Sequence, residues 1–322
     1  MLHPLFLVPV YRRYLWGGRR FETALSRTLP PGEDYAESWE LVDRDADQSI
    51  VACGALAGRS LADLRATECR GLLGRHADLE RFPLLFKFLD ARLDLSVQVH
   101  PDDSRAARLV PPDRGKTEAW YVIDAAPGSR IYAGLRDGID RDGLAAALRA
   151  GRCEEVLHSF EPRPGDCVFI PAGTVHAIGG GLLVAEIQQS SDVTYRLHDW
   201  NRTGADGKPR PLHLDAGLEA VTRFGPVGPV APTRTADPAA RKLVDCPYFR
   251  FDDVHARQAW TVGGDDACHA IVVLGGTIAF SPEWDLPPLR RGSTALLPAG
   301  IGPQTLTPVD GLPAHLLHVS LP

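Results

Sequence analysis

Glycine (31 residues) and proline (27) punctuate the whole 322-residue chain, and the runs between them are short and either alternate or are β-branched. Long helices are therefore excluded from most of it, because glycine weakens and proline breaks a helix interior. Val97–Val99, Ala119–Ile123, Ser129–Ala133, Cys167–Ile170 and Leu182–Ile187 read as strands. Helical patterns are few: about 60–75, opened by Ser60 as a cap; about 140–150, opened by Asp140 and closed before Gly151; and about 214–220. Short strands with rare helices imply a mainly β protein of barrels or double-sheet jelly rolls carrying a few helical insertions.

An internal echo suggests two such units. Arg163-Pro-Gly-Asp-Cys-Val-Phe-Ile-Pro-Ala-Gly173 is similar to Arg291-Gly-Ser-Thr-Ala-Leu-Leu-Pro-Ala-Gly300, each placing a short apolar run before Pro-Ala-Gly. The first copy continues to His176, where the second has Pro303. Residues 1–223 are expected to form a metal-binding cupin-like domain holding all three helical insertions. The Pro/Gly-rich segment 224–238 reads as a linker, and 239–322 as a second cupin-like domain without metal.

A net charge of −6 argues against a nucleic-acid partner, whose footprint is usually basic, while leaving room for a small anion held by a few local cations. The six cysteines are dispersed with no Cys-x-x-Cys pair, so neither a disulfide scaffold nor a cysteine-rich zinc site is expected. The apolar start, Met1 to Val10, contains two prolines and no basic leader, and reads as an opening strand. No run approaches the roughly 20 apolar residues that span a bilayer. The expectation is a cytoplasmic protein with no membrane partner, as a monomer or a homodimer.

The chemistry concentrates in Leu95-Ser-Val-Gln-Val-His-Pro-Asp-Asp103, Gly115-Lys-Thr-Glu118 and Pro171-Ala-Gly-Thr-Val-His176. Gln98 and His100 lie two apart in an alternating run, so on a strand they share a face. With Glu118 and His176 they supply two imidazoles, a carboxylate and an amide oxygen, a donor set suited to one Zn²⁺ with an open position. Each residue alone has an ordinary explanation: a half-buried histidine, a strand-edge amide, or a Glu118–Lys116 pair. Jointly they are costly to bury without a cation. Asp102-Asp103 after Pro101 reads as a helix cap, and Trp16, Trp39 and Trp120 as packing aromatics. His158, His198, His213, His255 and His269 lack paired spacing and receive no role.

These motifs resemble the type I phosphomannose isomerases in their short bacterial form. The resemblance is carried by Tyr14-Leu-Trp-Gly-Gly18, Ala36-Glu-Ser-Trp-Glu40, Pro83-Leu-Leu-Phe-Lys-Phe-Leu-Asp90, the Gln98/His100 segment, Lys116-Thr-Glu118, Pro171–Ile178 and Glu186-Ile-Gln-Gln-Ser-Ser-Asp-Val-Thr-Tyr-Arg196. It implies a zinc enzyme interconverting mannose 6-phosphate and fructose 6-phosphate, with Gln98, His100, Glu118 and His176 as metal ligands. It also implies catalytic roles for Arg196, Asp192 and Lys116. Longer members follow the arginine with Ala-Gly-Leu-Thr-Pro-Lys, whereas this chain has Leu197-His-Asp-Trp-Asn-Arg202. Arg202, Lys208 and Lys87 are then candidates for the phosphate contact.

The reaction moves a proton between carbons 2 and 1 through a cis-enediol whose oxygens gather negative charge. An arginine suits electrostatic stabilisation of that charge better than base catalysis. Asp192 is the first candidate for proton transfer, Lys116 the second, and Glu186 a supporting residue. Two rival readings are an Fe²⁺ cupin oxygenase, against which the amide ligand argues, and a sugar-phosphate-binding regulator on a degenerate isomerase scaffold.

Overall fold

The computed structural model describes residues 2–203 and 207–322, so Met1 of the expected opening strand lies outside it. Its architecture is four sheet layers. A five-stranded sheet runs in the order Leu157–Phe160, Ile131–Leu135, His176–Ile178, Val97–Val99, Tyr195–His198. A six-stranded sheet runs Cys167–Ile170, Glu118–Ala125, Leu182–Gln189, Leu84–Ala91, Glu37–Leu41, Val10–Arg12. Between the two lies a core of Trp120, Val122, Val168, Val184, Ile131 and Ile178, among others. The far face of the smaller sheet is covered by the helices Arg141–Arg149 and Leu214–Ala220, through Leu144 and Ala220.

The six-stranded sheet is apolar on its other face too, which explains why Leu84–Ala91 and Leu182–Gln189 are buried along their whole length. Leu84, Phe86 and Phe88 point away from the first core and pack with Phe251, Val272 and Leu317 of an eight-stranded sheet. That sheet encloses a second core against four short strands, 260–262, 304–308, 277–279 and 289–290. Both units are therefore open double-sheet jelly rolls: among the described strands no pairing joins the facing sheets into a closed barrel. Pro226 of the linker bridges Gly134, where the strand Ile131–Leu135 is irregular, and Pro229 bridges Val168 on the edge strand Cys167–Ile170.

The chain does not divide cleanly at 224–238. Leu5–Val8 pairs with Thr294–Leu297 (Leu5 opposite Leu296) and with Ile50–Val51, adding two N-terminal strands to the second unit's large sheet. The sequence echo has a structural counterpart. Cys167–Ile170 of one large sheet and Thr294–Leu297 of the other each lead through Pro-Ala-Gly to a strand of the smaller facing sheet, His176–Ile178 and Gln304–Pro308. At Gly173 (φ +85°) a Cβ would meet Thr222 Oγ1 at 2.0 Å, so the turn that delivers His176 requires glycine.

All three expected helices form, as Leu61–Leu73, Arg141–Arg149 and Leu214–Ala220, and Arg20–Leu25 and Asp103–Ala106 are additional. Asp102 caps the last of these by accepting from the Arg105 N–H. Ser60 and Asp63 form a reciprocal capping box, Asp63 N–H to Ser60 Oγ at 3.0 Å and Ser60 N–H to Asp63 Oδ2 at 3.3 Å. Ser60→Ala should therefore cost about 1 kcal/mol in urea unfolding; an unchanged midpoint would show the helix held by packing alone. The six cysteines are all free, and no helix of the described residues is long and apolar enough to cross a membrane.

Candidate metal centre

Strand ends at the mouth of the first jelly roll bring the expected ligands together. Gln98 stands directly opposite His176 on one neighbouring strand and Arg196 on the other, so the three share a face. His100 follows two residues on, just past the end of its strand. Glu118 opens its strand opposite Ile170 and Gln188. His176 Nε2 lies 3.2 Å from Glu118 Oε1 and His100 Nε2 lies 3.5 Å from Glu118 Oε2, with all three side chains buried. The donor atoms of these three residues fall within 4.8 Å of one another.

The hydrogen bonding tests whether this cluster fits a cation. His100 Nδ1 donates to the Val193 carbonyl and His176 Nδ1 to the Thr174 carbonyl, both at 2.9 Å. Each Nε2 is then a bare lone pair, the arrangement typical of metal-bound histidines. Lys116 Nζ reaches His100 Nε2 at 3.1 Å and Glu118 Oε2 at 3.2 Å, but His176 Nε2 and Glu118 Oε1 face each other without a hydrogen bond. A proton on His176 is a poor remedy, since burial pushes that imidazole down to about 4. Burial likewise depresses His100, with Lys116 and His176 adding to the effect, while burial raises Glu118 against the pull of Lys116. A divalent ion would satisfy all three groups at once.

A cavity of about 310 Å³ adjoins the cluster, and Gln98, Lys116, Asp192 and Arg196 all line it. Asp192 is exposed at the rim. Arg196 donates to the Pro211 carbonyl at 3.0 Å. Its charge is disfavoured first by burial and then by Arg210, a second guanidinium lining the same cavity. Asp199, itself buried, holds Arg210 through two contacts of 2.8 and 2.5 Å.

On the floor, register places Trp39, Lys87, Glu186 and Trp120 in one row across four strands. Lys87 Nζ bridges Glu186 at 3.0 Å and Glu37 at 3.5 Å. Trp39 Nε1 donates to Glu37 at 2.6 Å and Trp120 Nε1 to Glu186 at 3.1 Å. Burial opposes the Lys87 charge, but Glu186 and Glu37 outweigh it and raise the ammonium well above its usual range. Lys87 thus lines the cavity while paired with two carboxylates. Arg202 bonds Asp199 and the Asp94 carbonyl and does not line the cavity. Arg210, which also lines the cavity, carries no sequence signal of its own, since it sits fourteen positions beyond Arg196 with no motif around it. Trp16, Trp39 and Trp120 are buried as expected.

Residues 5–120 match the family described as phosphomannose isomerase type I, catalytic domain. The chain is 35% identical to the mannose-6-phosphate isomerase ManA of Bacillus subtilis over 309 residues, covering 93% of this chain and 94% of that one. It is 37% identical to the mannose-6-phosphate isomerase of Streptococcus mutans over 312 residues, covering 92% and 93%. The crystal structure of the mannose 6-phosphate isomerase from Bacillus subtilis superposes with a TM-score of 0.88 at 30% identity, covering 99% of each chain. With sequence likeness running through both jelly rolls and the fold shared over the same span, the chain belongs to the type I phosphomannose isomerase family.

Proposed function

We propose that this protein interconverts mannose 6-phosphate and fructose 6-phosphate with one Zn²⁺ held by Gln98, His100, Glu118 and His176. The observation that carries the reading is the buried His176–Glu118–His100 cluster lying behind Lys116 and Gln98 of a polar cavity with two guanidiniums. Two imidazoles, a carboxylate and an amide oxygen suit Zn²⁺. When bound there, the ion supplies Lewis acidity toward the sugar's vicinal oxygens.

The chain's own residues divide the remaining work. Arg196 stabilises the negative charge of the cis-enediol without losing its proton. Lys116, with Nζ beside the ligands, carries the proton between carbons 2 and 1. The exposed Asp192 holds a sugar hydroxyl at the rim. This reverses the order expected from sequence, because Lys116 Nζ is buried against the proposed ligands whereas Asp192 is exposed. Arg210, pre-oriented by Asp199, takes the phosphate. All ligand and guanidinium positions being filled, nothing favours a degenerate regulator.

A coupled assay of mannose 6-phosphate conversion, run with metal analysis on the same sample, tests the reading. Turnover that tracks zinc content and disappears reversibly with chelator is expected; full activity in metal-free protein would overturn it. Arg210→Ala should raise KM for the phosphosugar about tenfold or more, given about 1.5–3 kcal/mol for a charged hydrogen bond, with kcat little changed. A KM equal to that of the unaltered protein would remove Arg210 from the site.

A further inference from the structure

A second convergence of metal-binding groups lies in the C-terminal jelly roll, outside the site described above. The strands Arg250–Ala256 and Ala314–Ser320 are antiparallel, and their register sets His255 directly opposite His315. Asp253 is two residues before His255 and so shares its face. The two imidazoles stack with centroids 4.3 Å apart and planes 12° from parallel. Both direct Nε2 at the same carboxylate, His315 at 2.7 Å and His255 at 3.3 Å. The three donors lie within 4.8 Å of one another.

We propose that Asp253, His255 and His315 form a second binding site for a divalent transition ion of the zinc class. Two imidazoles and one carboxylate on adjacent strands are three of the four ligands such an ion takes, leaving one position for water. Access is open, because the His255 side chain is 49% exposed while Asp253 is fully buried. The site stands apart from the catalytic cavity. Tyr121, whose hydroxyl lies 3.3 Å from His315 Nε2, belongs to the sheet face opposite the one carrying Trp120 and Glu118. Arg241 also contacts Asp253, opposite it in register. Its charge makes this the weaker of the two sites, and its half-exposed side chain can move aside.

Titration of the full chain with Zn²⁺, with bound metal counted by atomic absorption after equilibrium dialysis, decides the matter. The unaltered protein should bind two equivalents, the second more weakly. His255→Ala and the milder His315→Gln should each bind one, with isomerase activity unchanged because neither touches the cavity. Co²⁺ in place of Zn²⁺ should give two separable visible-absorption signals, one of them lost in either variant. A single equivalent in the unaltered protein, or two in both variants, would overturn the proposal. Since both variants keep His100, Glu118 and His176, the outcome is independent of the catalytic assignment.

Discussion

Glu118→Ala is expected to lose the metal and to lower kcat/KM at least about a thousandfold, as several kcal/mol of Lewis-acid stabilisation disappear at about 1.36 kcal/mol per factor of ten. Glu118 is the only carboxylate of the buried cluster, and its two oxygens face different histidines, Oε1 toward His176 and Oε2 toward His100. Its removal takes away the one anionic donor of that set and leaves two neutral imidazoles beside the Lys116 ammonium, whose charge then opposes a divalent ion. The variant should stay folded, since alanine also relieves a carboxylate whose burial already disfavours its charge. Metal content and kcat/KM measured on one preparation check this. Retention of zinc with normal turnover would show that the cluster is only an ion-pair network. Arg196→Ala is the contrasting change: it should keep the metal and lower kcat.

Lys87→Met is expected to produce the largest loss of stability, about 3–5 kcal/mol, because removing one member of a buried ion pair strands its partners. The ammonium is buried between Glu186 and Glu37, and the indoles that also bond these carboxylates carry no charge to replace it. Burial alone would raise the Glu186 carboxyl; Lys87 first, then Lys116, holds it below its usual value. With Lys87 gone, Glu186 should bind its proton more tightly in the folded than in the unfolded chain. Stability of the variant is then greatest below the ordinary carboxylate range and falls as pH rises through the new folded pKa. Urea unfolding at pH 4.5 and pH 7.5 should show the deficit growing with pH, and Lys87→Met with Glu186→Gln should recover part of it. A deficit equal at both pH values, with no recovery, would mean that Lys87 acts through packing and not charge.

Much of the candidate site was legible because the residues that could hold an ion sit at strand ends with local signatures. Alternation fixed the shared face of Gln98 and His100, and the Pro-Ala-Gly turn marked the approach to His176, where Gly173 proves to be required. Lys87 illustrates what was not legible. In Leu84-Leu-Phe-Lys-Phe-Leu it reads as a lone cation in an apolar strand, equally suited to solvent, phosphate or a buried pair. Only the pairing of Lys87 with Trp39 on one side and Glu186 on the other reveals its partners. His255 is the stronger case: the imidazole stacked on it belongs to His315, sixty residues away in sequence.

Local rules settled what depends on near neighbours along the chain: the three longest helices, the Ser60, Asp102 and Asp140 caps, and the donor types gathered at the candidate site. Contacts distant in sequence settled the rest, because which strands come to lie side by side depends on closing long loops, which local spacing does not encode. Those contacts carried residues 5–8 into the C-terminal sheet and set Arg210 on the cavity wall against Asp199. Backbone pattern specifies which face a side chain takes; only the folded sheet specifies what waits on that face.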